Sequence, residues 1–315
     1  MATYITVDIG GTHIRVALFN EDSNVPLVHK RIRTHAGDQS PFDRMVGLIR
    51  SVYPTNDEVL SITVATPGPV NPYSGVLASA PNIRGWENLP LGPKLEAEFG
   101  IPAHIGNDAN LAALGEWRFG AARGHKHVLY LTISTGIGAG VIVDDRLLLG
   151  LHGLAAELGH VTVMPDGPLC GCGHRGHLEA IAAGPAIARY TQEKLAQGAA
   201  SSLRGVEEVS AKTITEAARQ GDALALEALA RSGEFIGIAL ADFLAIFNPS
   251  IVVFGGGVSM SGELLLGPVR ESLRTHVLDE AYLKDLTITQ AALGDESGLL
   301  GALALAHTMQ QPVRA

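Results

Sequence analysis

The sequence predicts an α/β fold made of two similar lobes. The chain has 315 residues, about twice the ~150 residues of an average domain. A strand, a glycine turn and a second strand open the chain, and the same order returns near its middle, followed each time by mixed strands and helices. Hydrophobic residues make up 46% and charged residues 17%. This composition excludes a disordered chain and is sufficient for a large core.

Charge and apolar patterning limit the partners and the compartment. The net charge of −9 gives no overall basic footprint for nucleic acid or for an anionic membrane. The first residues form neither the basic nor the apolar region of a secretory signal. The longest apolar stretch, around 236–254, is interrupted by Asp242, Asn248 and Pro249. We therefore expect a cytoplasmic protein that binds neither nucleic acid nor membrane.

In the first half, β-branched segments predict strands, and apolar residues at helical spacing predict helices. The segment 71–93 contains four prolines and is predicted to be mostly loop. Strands are expected at 4–9, 14–19, 27–33, 59–65 and 103–106, and helices at 43–52, 91–99 and 109–119.

The second half repeats this order. A strand leads into a glycine turn predicted over 134–140, and a loop rich in Gly, His and Cys follows at 157–177. Further strands are expected at 128–132, 141–143, 146–150, 251–254 and 287–291, and helices at 184–197, 213–220, 223–247, 262–276 and 297–308.

Three glycine turns, each following a buried strand, are candidate phosphate or ligand sites. Glycines expose backbone N–H groups without a side chain in the way. In 8–12 (Asp-Ile-Gly-Gly-Thr), Thr12 adds a hydroxyl and Asp8 could hold Mg²⁺. The turn at 134–140 is followed by a strand, which argues against a Rossmann fingerprint, and 255–257 could face a flat ligand. Ordinary structural turns remain an alternative for each.

Asn107 and Asp108 lie where a strand ends and a helix begins. An aspartate at this point can be an N-cap. It can also accept a proton from a substrate hydroxyl, because ligands of α/β folds often bind at the carboxyl ends of strands. The two interpretations are compatible.

Histidines and both cysteines of the chain cluster between residues 157 and 179. Cys170 and Cys172 are one residue apart, which makes a poor disulfide and a better metal pair. With His160 and His177 they could form a closed, structural Zn²⁺ site. Free thiols with solvated histidines, or a partial site with a weak fourth ligand, are the alternatives; His152 and His174 are expected to be solvated.

The order of these motifs resembles the ROK family of repressors, open-reading-frame proteins and sugar kinases, over nearly the whole chain. The bacterial glucokinases of that family are the most similar subgroup. The motifs are Asp8-x-Gly10-Gly11-Thr12, Pro67-Gly68-Pro69-Val70, Asn82 with Trp86, Asn107-Asp108-Ala109-Asn110, Thr135-Gly136-x-Gly138-x-Gly140, Glu157-x-Gly159-His160, Cys170-x-Cys172-Gly173-x-x-Gly176 and Gly255-Gly256-Gly257.

This resemblance implies an actin-like sugar-kinase fold, with two ribonuclease-H-like lobes around a cleft. It implies a small lobe of residues 1–117 joined by a C-terminal helix at 297–315, and a large lobe of residues 118–296 that carries the metal loop 157–179. Homodimers or homotetramers are also implied.

The resemblance assigns roles residue by residue. Asp108 resembles the base that takes the proton from the sugar's primary hydroxyl, and Asp8 the carboxylate beside Mg²⁺. The expected sugar ligands are Gly68, Asn82, Asn107, Asp108, Glu157, His160 and Glu179. The expected ATP contacts are Asp8, Gly10, Gly11, Thr12, Thr135, Gly136, Gly256 and Gly257.

One position departs from the family pattern. His177 stands where the family has a third zinc-binding cysteine. Imidazole is also a zinc ligand, so we expect His160, Cys170, Cys172 and His177 to hold the metal. In the family, His160 would bind zinc with one ring nitrogen and sugar with the other.

The expected activity is ATP-dependent phosphorylation of glucose at its 6-hydroxyl, with Mg²⁺ and structural Zn²⁺. An N-acetylmannosamine, fructose or other hexose kinase is the first alternative, and the donor could differ from ATP. A sugar-responsive transcription regulator is a second alternative, disfavoured because the first strand begins too early for a preceding DNA-binding domain. A nucleotide-hydrolysing actin-like scaffold is a third.

Overall fold

The computed structural model describes residues 1–80 and 82–310. Strands of the first half build a five-stranded sheet and a small three-stranded sheet. They are β1 (Ala2–Ile9), β2 (His13–Asn20), β3 (Pro26–Arg33), β4 (Glu58–Thr66), β5 (Val70–Asn71), β6 (Val76–Ser79), β7 (Glu87–Leu89) and β8 (Ala103–Asn107).

The first five-stranded sheet has the order β3-β2-β1-β4-β8. The β1–β2–β3 ladder is antiparallel, whereas β4 and β8 run parallel to β1. Because β1, β4 and β8 are parallel, their carboxyl ends meet at one edge. This edge carries the first glycine turn and Asn107.

A second sheet repeats this arrangement. Its order is β11-β10-β9-β12-β13, with an antiparallel β9–β10–β11 ladder and with β12 and β13 parallel to β9. The two sheets therefore share one topology, which confirms the two-lobed α/β prediction. The strands are β9 (Val128–Ile133), β10 (Ile137–Val143), β11 (Arg146–Leu147), β12 (Ile251–Gly255) and β13 (Thr287–Gln290).

Helices pack around both sheets, and local sequence explains several of their ends. Ser40 caps α1 by accepting from the Asp43 N–H, and Asp222 caps α7 by accepting from the Ala225 N–H. Asn248 ends α7 in the left-handed conformation. The helices are α1 (Pro41–Arg50), α2 (Leu91–Phe99), α3 (Asp108–Phe119), α4 (Leu178–Ala182), α5 (Gly184–Ala196), α6 (Ala211–Arg219), α7 (Ala223–Phe247), α8 (Glu263–His276) and α9 (Ser297–Gln310).

The core joins the two sheets through α3 and α9. One buried cluster surrounds the first sheet, and a larger one lies on the second. A third takes residues from both sheets and both helices, including Ala65, Leu111, Val253 and Ala302. The chain passes to the second sheet after α3 and returns before α9, which packs on β1 and β4.

Several predicted bounds were wrong. The second glycine turn spans only 134–136, because β10 begins at Ile137 and includes Gly138 and Gly140. Those glycines face α3, where an added Cβ would approach Ala109 and Ala113 to 2.9 and 2.5 Å. The small sheet β5–β6–β7 and the five-residue α4 were not predicted.

The lobe boundaries at residues 117 and 118 stay a prediction. Residues 311–315 of the predicted C-terminal helix lie outside the described residues. Among the helices described, none has both the length and the apolar character needed to cross a membrane.

Candidate active site

The first glycine turn joins β1 to β2. The Gly10 N–H donates to the His13 carbonyl over 2.9 Å, and the Thr34 N–H donates to the Thr12 carbonyl over 2.9 Å. A Cβ added at Gly11 would lie 2.9 Å from the Asn82 Cβ. The predicted phosphate turn and a predicted sugar residue are therefore neighbours, and only glycine allows them to be so close.

Asp8 lies at the carboxyl end of β1, opposite Arg15 in the hairpin. Arg15 Nη1 is 3.8 Å from Asp8 Oδ2. Burial raises the pKa of Asp8, the Arg15 charge lowers it, and Asp295 and Glu296 raise it further. Arg15 was not among the predicted site residues, although the register of a tight hairpin places it opposite Asp8.

Asn107, not Asp108, is the N-cap of α3. Its side chain accepts from the N–H groups of Ala109 and Asn110 at 3.0 and 3.2 Å. Its amide nitrogen donates to the Gly68 carbonyl over 3.2 Å. Asn107 thus fixes the start of α3 and leaves the Asp108 carboxylate as the first side chain of the helix. The cap interpretation of Asp108 was wrong.

Asp108 is exposed to solvent, yet many protein atoms surround its carboxylate and displace water from it. This burial raises its pKa to about 6, and the negative charges of Asp8 and Glu157 also raise it. The Ala109 N–H, 2.8 Å from Asp108 Oδ1, lowers it. A carboxylate with a pKa near neutrality is suited to proton transfer.

The second glycine turn is bound to Glu179. Glu179 Oε2 accepts from the Ile137 N–H over 3.0 Å, and a Cβ at Gly136 would lie 2.5 Å from the same oxygen. Thr135 is exposed at the tip of the turn. Glu179 was predicted to be a sugar ligand; the structure gives it a hydrogen bond to a predicted phosphate turn.

The third glycine turn follows β12. Gly256 has a φ of 82°, and a Cβ there would lie 2.4 Å from the Ile133 carbonyl oxygen. The second and third turns are therefore adjacent. Gly257 is exposed, and nothing lies within 4 Å of the position its Cβ would take. This leaves open space above the backbone for a ligand.

Glu157 and His160 lie at either end of a short 3₁₀ turn, Leu158–His160. A Cβ at Gly159 would lie 2.0 Å from the Ile137 carbonyl oxygen, so this turn packs on β10. Ala156, which precedes Glu157, has a φ of 67°. A non-glycine residue in this conformation is strained, and no sequence pattern indicated it.

The four predicted metal ligands are close together. One ligand atom from each of His160, Cys170, Cys172 and His177 lies within 4.8 Å of the others. The distance from Cys170 Sγ to His160 Nδ1 is 3.7 Å, and that from Cys172 Sγ to His177 Nδ1 is 3.2 Å. Tetrahedral zinc with one nitrogen and one sulfur ligand separates those atoms by about 3.6 Å. The donor set and its spacing fit zinc.

His174 is also near this cluster. Its ring stacks on that of His177, with centroids 5.6 Å apart, and its Nδ1 is 3.8 Å from Cys172 Sγ. The side chain is exposed and is not one of the four grouped ligands.

Several predicted site residues contact one another within each half of the chain. Gly11 meets Asn82, Gly68 meets Asn107, and Gly136 meets Glu179. Asp108 lies within electrostatic range of Asp8 and Glu157. Two sheets of equivalent topology, each with a glycine turn after its first strand, define an actin-like fold.

The chain belongs to the ROK family, which matches residues 4–309. A glucokinase from Thermotoga maritima is 38% identical and covers 96% of each chain. The crystal structure of a ROK glucokinase from Streptomyces griseus with glucose and AMPPNP has a TM-score of 0.81 and 36% identity. It covers 97% of this chain and 99% of that one.

A ROK family transcriptional regulator, a homologue of the E. coli MLC protein, has a TM-score of 0.89 with 28% identity. It covers 98% of this chain and 78% of the regulator. The backbone alone therefore does not separate kinases from regulators in this family.

Proposed function

We propose that this protein is an ATP-dependent glucokinase. The observation that carries the proposal is the position of Asp108. Asp108 is the first residue of α3, the charges of Asp8 and Glu157 both act on its carboxylate, and its pKa is raised to about 6. Glucokinases that match nearly the full chain support glucose as the sugar.

In the proposed reaction, the glucose O6 attacks the γ-phosphorus of ATP. The new bond joins O6 to phosphorus, and the bond from phosphorus to the β,γ-bridging oxygen breaks, which leaves ADP. Asp108 accepts the O6 proton. A carboxylate with a pKa near 6 is largely ionised at pH 7 yet basic enough to assist this transfer.

We assign the sugar to the side chains around Asp108. Carboxylates and amides can each bridge neighbouring hydroxyls, which suits glucose. Glu157 follows Ala156, whose φ is 67°, and its negative charge acts on Asp108. The proposed contacts are Gly68, Asn82, Asn107, Glu157, His160 and Glu179.

We assign the triphosphate to the first two turns and the adenosine to the third. Backbone N–H groups of these turns could donate to phosphate oxygens, although that of Gly10 already donates to the His13 carbonyl, so Gly10 would contribute by its position in the turn. The proposed contacts are Gly10, Gly11, Thr12, Thr135 and Gly136 for the phosphates, and Gly256 and Gly257 for the adenosine. Asp8 supplies a hard oxygen ligand for Mg²⁺, which would neutralise phosphate charge.

Zinc is assigned a structural role. His160, Cys170, Cys172 and His177 would hold it, and with four protein ligands it supplies folding energy and no open position for chemistry. A metal-bound His160 keeps its other ring N–H as a fixed donor toward the sugar. The predicted homodimer or homotetramer stays a prediction.

Asp108→Ala tests the assignment of the base. We expect glucose phosphorylation to fall by a factor of about 10² to 10⁴, because proton transfer is lost, while glucose still binds. A coupled assay for ADP and calorimetric titration with glucose measure the two effects. The exposed Asp38 supplies a matched control, since Asp38→Ala removes a carboxylate outside the site. Phosphorylation near the wild-type rate in Asp108→Ala would refute the assignment.

A sugar panel on the wild-type chain separates the alternatives. If N-acetylmannosamine or fructose is phosphorylated faster than glucose, that sugar is the substrate instead of glucose. The higher TM-score with a regulator makes a regulator the second candidate. Its signature would be hexose binding without phosphorylation, together with sugar-dependent and salt-sensitive binding to duplex DNA.

A further inference from the structure

Two segments carry the chain between the two sheets, one after α3 and one before α9. Glu116, near the end of α3, is completely buried, and its carboxylate binds both of them. Oε2 accepts from the Ala121 N–H over 2.7 Å and from the Ala292 N–H over 3.1 Å. Oε1 accepts from the Leu293 N–H over 2.9 Å.

A buried carboxylate is costly unless its oxygens are satisfied. Glu116 makes no ion pair within residues 1–80 and 82–310. The three backbone N–H groups are therefore the partners that the protein provides in that part of the chain. Hydrogen bonds from N–H groups to a charged acceptor are stronger than neutral ones, so this arrangement is well suited to holding two segments in place.

We call the segment after α3 the first crossing and the segment before α9 the second crossing. The first crossing also folds around the Glu116 carboxylate. The N–H groups of Gly120 and Ala122 both donate to the Glu116 main-chain carbonyl over 3.0 Å. A Cβ at Gly120 would lie 2.1 Å from Oε2, so only glycine lets the chain fold over the carboxylate. Glu116 thus binds the first crossing by main chain and side chain, and the second by its side chain alone.

We propose that Glu116 is the positioning residue of the hinge between the lobes, an inference that rests on the proposed kinase function. Asp108 and Glu116 lie at opposite ends of α3, about 12 Å apart along the helix. One rigid element therefore carries the base at one end and the attachment of both crossings at the other. Closure about this attachment brings the glycine turns of the second sheet to Asp108 in a reproducible position.

Glu116→Gln tests the proposal, since the amide nitrogen cannot accept a hydrogen bond and would face a backbone N–H. We expect kcat to fall about tenfold and KM for both substrates to change, because hinge substitutions alter both. We expect less compaction in small-angle scattering when glucose and AMPPNP are added. ATP hydrolysis should also rise relative to transfer, because incomplete closure admits water.

Glu96→Gln is the matched control. The Glu96 carboxylate also accepts from a backbone N–H, that of Ala103, over 3.2 Å. Glu96 is in α2 and Ala103 begins β8, so this hydrogen bond stays within the first half and touches neither crossing. We expect its kcat, KM and compaction to equal those of the wild type.

Gly120→Ala keeps the charge and displaces the carboxylate, so it tests the proposal if Glu116→Gln does not fold. The proposal predicts the same pattern of kinetic and scattering changes. It is overturned if the folded variants lose thermal stability but keep wild-type kcat, KM and compaction, since Glu116 would then be merely structural. A wild-type chain that phosphorylates no hexose would instead refute the proposed kinase function.

Discussion

Single residues decide the chemistry at Asp108. The Asn107 cap fixes the start of α3, and the protein around Asp108 disfavours its charge. The pKa of about 6 lies well above the ~3.9 of an unperturbed aspartate. The folded chain therefore binds a proton more tightly at this position than the unfolded chain does.

Asp108→Asn should therefore stabilise the fold at pH 8. Above pH ~6 the ionised Asp108 destabilises the folded state, and below pH ~4 it is protonated in both states. We expect the free energy of unfolding to rise by on the order of 1 kcal/mol at pH 8, since solvent in the cleft screens part of the repulsion. Urea titrations at pH 8, 6 and 4 measure it. A gain that grows toward pH 4 would contradict this electrostatic account.

Gly115 and Gly301 allow two helices to pack closely. Helices α3 and α9 cross so closely that a Cβ at Gly301 would lie 1.9 Å from the Leu111 carbonyl oxygen. At Gly115 a Cβ would lie 3.0 Å from the Gly301 backbone nitrogen. The two helices thus pack backbone against backbone in the core that joins the sheets.

Gly301→Ala should destabilise the protein by about 3 kcal/mol, because a methyl group cannot enter this contact without moving a helix. Gly47→Ala is the control. Gly47 is exposed inside α1, and nothing lies within 4 Å of the position its Cβ would take. Alanine should therefore stabilise the protein by up to about 1 kcal/mol, because it has a higher helix propensity than glycine. Urea denaturation of both variants measures the difference. Equal stability of Gly301→Ala and the wild type would show that α9 can shift freely.

Elements with strong local signals were predicted well. The bounds of α2 and α7 agree with the prediction because Gly100 and Asn248 end them in the left-handed conformation. The second glycine turn was predicted four residues too long, since Gly138 and Gly140 serve contacts with α3 that lie far away in sequence. The strands β5–β7 are only two to four residues long and have no periodicity to detect.

In the whole molecule, the loop 157–179 links the four candidate zinc ligands to residues of the proposed sugar and phosphate sites. His160 follows Glu157, a proposed sugar contact, and Glu179 follows His177 and accepts from the Ile137 N–H beside the second glycine turn. Zinc in this loop would therefore stabilise more than the loop itself.

We expect one zinc ion per chain in the wild type and a loss of most of it in His177→Ala, with a lower Tm and weaker glucose binding. His174→Ala is the control and should keep the metal, because His174 is outside the four-ligand group. Metal analysis, thermal unfolding with and without a chelator, and calorimetry measure these effects. Full zinc content in His177→Ala would remove His177 from the ligand set.

The family and the principal motifs could be predicted from the sequence because local glycine, carboxylate and cysteine patterns carry them. Glu116 could not, since a glutamate in a helix ordinarily faces solvent. Its partners at Ala121, Ala292 and Leu293 become visible only when both crossings are folded together. Ala156 gave no signal either, because alanine is not one of the residue types that favour a positive φ.

The glycine turns also limit which substitutions this protein can accept during evolution. At Gly11 and Gly256 an added Cβ would lie 2.9 Å from the Asn82 Cβ and 2.4 Å from the Ile133 carbonyl oxygen, so these two turns tolerate almost no residue except glycine. The sugar contacts that we propose include Asn82 and Glu157, whose side chains single substitutions can exchange. If these contacts select the sugar, a change of preferred hexose needs fewer mutations than a change at the glycine turns.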